Sequence, residues 1–244
     1  MTAEGSRNRT VLIVGTGLIG ASIGLALRSS DATVWLTDAD VEAQVHAIER
    51  GAGEALTTDA EPDLVVVAVP PRSVADVAAD MLERYPRATV TDVASVKAAP
   101  LARLRGLTNG FERFVGGHPM AGREVSGPAG ARADLFEDRL WVITATRETT
   151  AERVADVQWL ARTCGSLVVE LDPHEHDRAV ALTSHTPQLL ASVLAAQLVD
   201  ADPSDVAVSG QGLRDTTRLA DSGAELWTQI ISSNAPEIIA VLDR

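Results

Sequence analysis

Thr10–Gly15 (TVLIVG) is a short run of mostly β-branched apolar residues closed by a glycine, and helical spacing follows from about Leu18 to Arg28. A continuous apolar run bounded by turn signals reads as a strand buried on both faces of a parallel sheet. Thr33–Asp38 repeats the strand pattern, and Asp40 is placed to cap a helix that runs to Gly51, a C′ glycine. Asp63–Pro71 (DLVVVAVPP) is a third buried strand, stopped by two prolines that cannot extend a ladder. Thr89–Ser95, Arg113–Pro119, Leu140–Ala145 and Leu167–Asp172 continue the series. Strands alternating with helices predict an α/β fold with a doubly wound sheet and helices on both faces.

The period changes after residue 172. Pro173–Leu198 is rich in Ala and Leu at helical spacing, and Asp205–Ala220 and Ala224–Ser233 follow in the same style. The last run opens with Pro236, a favourable first-turn proline. Two domains are therefore expected: residues 1–172 as an α/β domain and residues 173–244 as a smaller all-helical one.

Composition narrows the function. With 34 acidic against 21 basic residues, the formal charge of −13 repels a phosphate backbone, and no cluster of basic residues offsets it. Nucleic acid and anionic membranes are excluded as partners. No apolar run approaches the ~20 residues of a membrane span, and the first ten residues lack a signal core. Cys164 is the single cysteine, which excludes an intrachain disulfide and fits a cytoplasmic protein. Lys97 is the single lysine among the 21 basic residues.

Gly15, Gly17 and Gly20 form G-x-G-x-x-G between a strand and a helix. The first glycine permits the tight turn, the second lets a pyrophosphate approach the backbone, and the third allows close helix–strand packing. Asp38 ends the second strand 18 residues after Gly20, where a carboxylate meets the ribose hydroxyls of NAD and repels the 2′-phosphate of NADP. The expected NAD contacts are Gly15, Gly17, Leu18, Ile19, Gly20, Asp38 and Pro70.

Further motifs carry a resemblance. Val14–Arg28 (VGTGLIGASIGLALR), Thr91–Lys97 (TDVASVK), Gly116–Glu124 (GGHPMAGRE), Ser184–Ala191 (SHTPQLLA) and Arg214–Ala220 (RDTTRLA) fall in the order seen in the prephenate/arogenate dehydrogenases of tyrosine biosynthesis. The chain resembles that family from about Val11 to Asn234, and G-G-H-P-M-A-G and S-H-x-P are far more specific than the glycine motif. The resemblance implies a Rossmann domain joined to an all-helical dimerisation domain, with the active site in the cleft between them. It further implies NAD-dependent oxidative decarboxylation of prephenate to 4-hydroxyphenylpyruvate by a homodimer joined through the C-terminal helices. Arogenate, with an amino acid side chain, is the alternative substrate. A non-catalytic NAD-binding module would keep the glycines but lose the catalytic residues.

Those residues are named by the same resemblance. His118 is the catalytic base, and an ordinary imidazole pKa near ~6.5 suits proton abstraction at neutral pH. Ser95 lies beside it and orients the imidazole, although a serine there could also cap the next helix. Arg218 pairs with the ring carboxylate, for which a guanidinium is suited. Arg214, four residues earlier on the same helix face, reinforces the pocket or pairs with Asp215 or Glu124. His185 helps position the substrate, and Glu124 gates the cleft. Gln188 and Trp227 are secondary candidates. Lys97 anchors its loop or adds positive potential. His174 and His176 point to different sides, unlike a metal-binding pair at i and i+4, and read as a solvated helix start; no metal is expected.

No chorismate mutase segment is expected. The family's helical domain runs further than this chain, which reads as a shortened version with dimer stability at risk.

Overall fold

The computed structural model describes residues 8–123, 125 and 127–244. The chain divides into two compact units, the first ending at His176 and the second beginning at Asp177.

In the first unit, β1 (Thr10–Val14) leads through α1 (Leu18–Leu27) to β2 (Thr33–Thr37), α2 (Val41–Glu49) and the two-residue β3 (Glu54–Ala55). Then come β4 (Leu64–Val67), α3 (Pro71–Arg84), β5 (Thr89–Asp92), α4 (Ala98–Arg105) and β6 (Phe114–Pro119). β7 (Leu140–Thr144), α5 (Ala151–Thr163), β8 (Leu167–Glu170) and the start of α6 (Pro173–Val180) complete it. The strands form one sheet in the order β3-β2-β1-β4-β5-β6-β7-β8. The doubly wound α/β fold is as the periodicity predicts.

Alternation along each strand divides the core between the two faces. Val11, Ile13, Leu64 and Val66 pack in one cluster with Ile23 and Leu27 of α1 and Leu160 of α5. Leu12, Val65 and Val67 pack in the other with Ala78 and Leu82 of α3 and Leu104 of α4. Asp40 caps α2 as expected, its Oδ1 accepting from the N–H groups of Glu42 and Ala43 at 3.0 and 3.2 Å. Gly51 ends the helix at φ +79°, a left-handed conformation that favours glycine.

One departure matters for function. β6 and β7 pair antiparallel, with His118 opposite Val142, while β1, β2, β4, β5 and β6 are mutually parallel. A parallel return needs a crossover, usually a helix; between β6 and β7 the described residues include only the 3₁₀ turn Pro128–Gly130, so the chain folds straight back.

The second unit is helical. It holds α7 (Thr186–Gln197), α8 (Pro203–Ala207), α9 (Gln211–Thr217), α10 (Ala224–Ser233) and α11 (Ala235–Leu242). The helix expected over Pro173–Leu198 is interrupted by a π-helical turn at Ala181–His185, where the Thr186 N–H donates to the Ala181 carbonyl. Pro187 explains it: the ring lacks an N–H and collides with the carbonyl four residues earlier, so the ladder widens by one residue. Leu190, Val193, Leu226, Ile239 and Leu242 of this unit are exposed. Among the described residues no helix is long and apolar enough to cross a membrane.

Cys164 is buried at the end of α5, and burial pushes its thiol up to about 12. At mildly alkaline pH it should therefore resist an aromatic disulfide reagent until denaturant opens the fold. Rapid stoichiometric reaction in native buffer would contradict this packing.

Candidate active site

The glycine loop sits at the switch point of the sheet, between the ends of β2 and β4. The Gly15 N–H donates to the Thr37 carbonyl at 2.8 Å. Gly15 has φ +101°, and a Cβ there would lie 2.4 Å from the Ala68 carbonyl oxygen. A Cβ on Gly20 would lie 1.9 Å from the Gly15 carbonyl oxygen. Gly17 differs: nothing among the described residues lies within 4 Å of where its Cβ would be. It stands at the N-cap of α1, whose first turn has no acidic residue and no side-chain cap. Backbone donors and open space thus coincide, as a pyrophosphate requires.

Asp38 closes the loop from behind. Its Oδ2 accepts from the Thr16 N–H at 2.5 Å and the Thr16 hydroxyl at 2.8 Å, and Oδ1 accepts from the Asp40 N–H at 2.9 Å. A carboxylate offers about four acceptor sites. Three are used, leaving one on Oδ1 for a ribose hydroxyl. Asp38 therefore shapes the loop as well as being able to hold a ligand, and the residues present fit a dinucleotide. Pro70 is exposed at the end of β4, ahead of α3.

At the same carboxyl edge, Asp92 and Lys97 form a buried ion pair, both nearly inaccessible. The pair grips one residue of the neighbouring strand. Asp92 Oδ1 accepts from the Gly117 N–H at 3.2 Å, and Lys97 Nζ donates to the Gly117 carbonyl at 2.6 Å. Asp92 Oδ2 also accepts from the Ala94 N–H at 3.0 Å. Two charges out of water are tolerated only with such added hydrogen bonds. Of the two roles expected for Lys97, anchoring is the one displayed.

The clamp explains the paired glycines. A Cβ on Gly116 would meet Thr144 Oγ1 at 2.2 Å, and one on Gly117 would meet the Asp92 carbonyl oxygen at 2.7 Å. The next residue is His118, buried to 8% exposure at the end of β6. Its Nδ1 lies 2.8 Å from Nε2 of His176, with the two rings edge to face at 71°.

His176 overturns an expectation. The solvated helix start holds for His174, which is exposed, but His176 is fully buried. The opposite orientation of the two rings is right; the helix start packs inward on one side, and His176 is on that side. Ser95 changes too. It is half-buried in the loop after β5, and among the described residues no hydrogen bond joins it to His118. Nor does it cap α4, whose N-cap position is Lys97. The Nδ1 of the imidazole is met by His176.

In the second unit, His185 is fully buried at the end of the π turn. Its Nδ1 lies 3.0 Å from Asn234 Nδ2, and Trp227 packs edge-on against the ring with centroids 6.1 Å apart. Asn234 was not singled out from the sequence; its signal was only its place just before α11. Arg218 opens a 3₁₀ turn, Arg218–Asp221, after α9, and both Arg218 and Arg214 are exposed. Gln188 is buried and serves this turn, its Nε2 donating to the Leu219 carbonyl at 2.8 Å. Asp215 accepts from Gln211 Nε2 at 2.7 Å. Glu124 lies outside the described residues; its neighbour Arg123 donates to the Gly130 carbonyl at 2.8 Å.

Two family models match the chain: the prephenate dehydrogenase nucleotide-binding domain over residues 23–170 and the prephenate dehydrogenase dimerization domain over residues 172–244. The chain belongs to the prephenate dehydrogenase family. Within that family it is 38% identical to the "Probable prephenate dehydrogenase NovF" of Streptomyces niveus over 97% of this chain, and spans 66% of that relative's length. The structure of prephenate dehydrogenase from A. aeolicus, in complex with hydroxyphenyl propionate and NAD+, superposes with a TM-score of 0.89 at 30% identity, covering 98% of this chain and 87% of that one. A Synechocystis arogenate dehydrogenase superposes at 0.80 with 28% identity, covering 96% and 87%. The nucleotide-binding family model begins at residue 23, after the glycine loop, so the loop's reading rests on its own geometry.

Lys97→Ala strands the buried Asp92 charge and should lower the unfolding free energy by about 3–5 kcal/mol. Adding Asp92→Asn removes that charge while keeping an acceptor for the Gly117 N–H, and should restore part of the loss. Equilibrium urea unfolding of both variants checks this.

Proposed function

We propose that the chain is an NAD-dependent prephenate dehydrogenase, converting prephenate to 4-hydroxyphenylpyruvate and carbon dioxide. The observation that carries this reading is a buried, partnered imidazole, His118, at the same sheet edge as a glycine loop shaped for a dinucleotide. Bound NAD supplies the hydride acceptor, and the Asp38 carboxylate selects it over NADP by repelling a 2′-phosphate.

His118 acts through Nε2, since Nδ1 is held by His176. It takes the proton of the ring hydroxyl as that carbon gives up its hydride. The bond to the ring carboxylate then breaks and carbon dioxide leaves; its electron pair completes the aromatic ring and pushes the carbonyl electrons onto oxygen, which takes the proton back from His118 as the phenol forms. Arg218 grips that carboxylate beforehand, with Arg214 adding local positive charge. Ser95 is left for a contact to the substrate hydroxyl, His185 for one elsewhere on the substrate, and Glu124 for gating. Residues 1–172 hold the dinucleotide, and residues 173–244 supply the substrate arginines. The exposed apolar side chains of the helical unit and the dimerisation family model support a homodimer, working in the cytoplasm.

Similarity to an arogenate dehydrogenase supports a second reading, the same chemistry on the amino acid analogue. A non-catalytic NAD-binding module has no reason to keep His118 partnered and Arg218 in place. Absorbance of the reduced cofactor, with prephenate and arogenate tested side by side, decides among the three. Prephenate is expected to turn over, and no reduction with either substrate would sink the enzymatic reading.

His118→Asn should lower kcat by about 10²–10⁴-fold, the usual worth of a general base, with NAD affinity nearly intact. In the unmodified chain kcat should fall on acidification, because a protonated imidazole cannot accept the hydroxyl proton. His176→Phe keeps bulk but removes one hydrogen bond, and should lower kcat about five- to tenfold with an unchanged KM for NAD. Steady-state kinetics read all three effects.

A further inference from the structure

Asp38 is held by more bonds than a ligand group needs. Thr16 donates twice to its Oδ2, through the N–H and the hydroxyl, and the Asp40 N–H donates to its Oδ1. The Asp38 backbone is held as well. Gln44, in the first turn of α2, accepts from the Asp38 N–H through Oε1 at 3.3 Å and donates through Nε2 to the Leu36 carbonyl at 3.2 Å. Thr16 is fully buried, so its hydroxyl is spent on the carboxylate and does not reach a ligand. Hydrogen bonds to a charged acceptor are the stronger ones of their kind.

A ribose hydroxyl meets the remaining acceptor site on Oδ1 with nothing broken. A 2′-phosphate fits only beside the fixed charge or after the carboxylate has swung aside. The second route breaks both Thr16 bonds and the Asp40 bond. We propose that Thr16 and Gln44 are positioning residues that determine cofactor specificity: holding Asp38 by its side chain and by its backbone, they keep the carboxylate from yielding to a 2′-phosphate and so set how strictly NAD is preferred to NADP. This rests on the reading of Asp38 as the selecting group. Specificity is a difference between two affinities, and an obstacle to the wrong ligand contributes as much as a contact with the right one. A loose aspartate presents the same charge but turns away by a change of rotamer. The glycine motif leaves residue 16 unspecified, so its spacing does not reveal this restraint.

Titration calorimetry with NADH, and with NADPH directly or in competition with NADH, gives two dissociation constants. Their ratio is the readout, because a general loosening of the fold weakens both ligands alike and leaves it unmoved. Thr16→Val keeps the shape and the N–H bond but sets a methyl against Oδ2. The ratio of Kd for NADPH to Kd for NADH should then fall about tenfold, the worth of one hydrogen bond to a charged group. Thr16→Ser restores the donor and should keep the ratio of the unmodified chain. Thr16→Ala removes the same hydroxyl with less apolar bulk, and decides the matter if the valine variant does not fold. Gln44→Leu should lower the ratio about threefold, as for a bond between neutral groups. An unchanged ratio in the folded valine or alanine variant overturns the proposal, as does a serine variant that behaves like them; an unchanged ratio in Gln44→Leu overturns its backbone half. Asp38→Asn separates the proposal from the reading beneath it. It removes the charge and should lower the ratio further than any of these. If it does not, Asp38 is not the selecting group and the restraint falls with it; a fall there with none at Thr16 sinks the restraint alone.

Discussion

The ammonium of Lys97 and the carboxylate of Asp92 lie together out of water, and between them they take both polar atoms of the Gly117 backbone. The backbone ladder between β5 and β6 ends at Thr91 and Val115. Beyond that point β6 is committed to β7 on its other side, and the ion pair continues the attachment to β5 through side chains. Everything at this end of β6 inherits its position from that grip. Gly116 and Gly117 are glycines because the clamp and its surroundings leave no room for a Cβ, and His118 follows directly. The chain uses arginine at 20 of its 21 basic positions. A planar fork does not suit a site built around one carbonyl and one carboxylate, whereas a compact ammonium does.

The partner of His118 sets the character of the proposed base. A carboxylate partner would bring a full negative charge into the interior; His176 holds the imidazole's direction through a ring nitrogen without adding a negative charge. In a protein of net charge −13 that restraint has value, since the proposed substrate is a dianion and the general field repels it. Attraction must be local. Arg214 and Arg218, one turn apart and exposed, are the groups proposed to provide it.

Much of the fold was legible because its signals are local. Val11, Leu12 and Ile13 are buried on both faces, so the strand reads as a continuous apolar run, and Asp40 caps α2 through atoms two and three residues away. What escaped depends on distance along the chain. His118 and His176 meet across 58 positions, and no pattern around Pro173 shows which side of α6 faces inward. Asn234 reaches His185 across 49 positions. The reversal at β7 was hidden because Leu140–Thr144 has the same apolar character in either direction, and its direction follows from the connection before it. Asp38 was read from its spacing as a ligand group; its prior engagement with Thr16 is a matter of loop geometry that spacing does not encode.

The π turn at Ala181–His185 amounts to one residue more than a regular helix would need over the same rise. Each residue of an α-helix turns the chain by roughly 100°. Deleting one residue from this turn would let the ladder close as plain α-helix, leaving length and composition almost unchanged while swinging His185 about a quarter of a turn relative to Asp177 and away from Asn234. Helices in this part of the chain tolerate substitution more readily than a change of length, and an alignment that treats a gap here as harmless would misplace the imidazole.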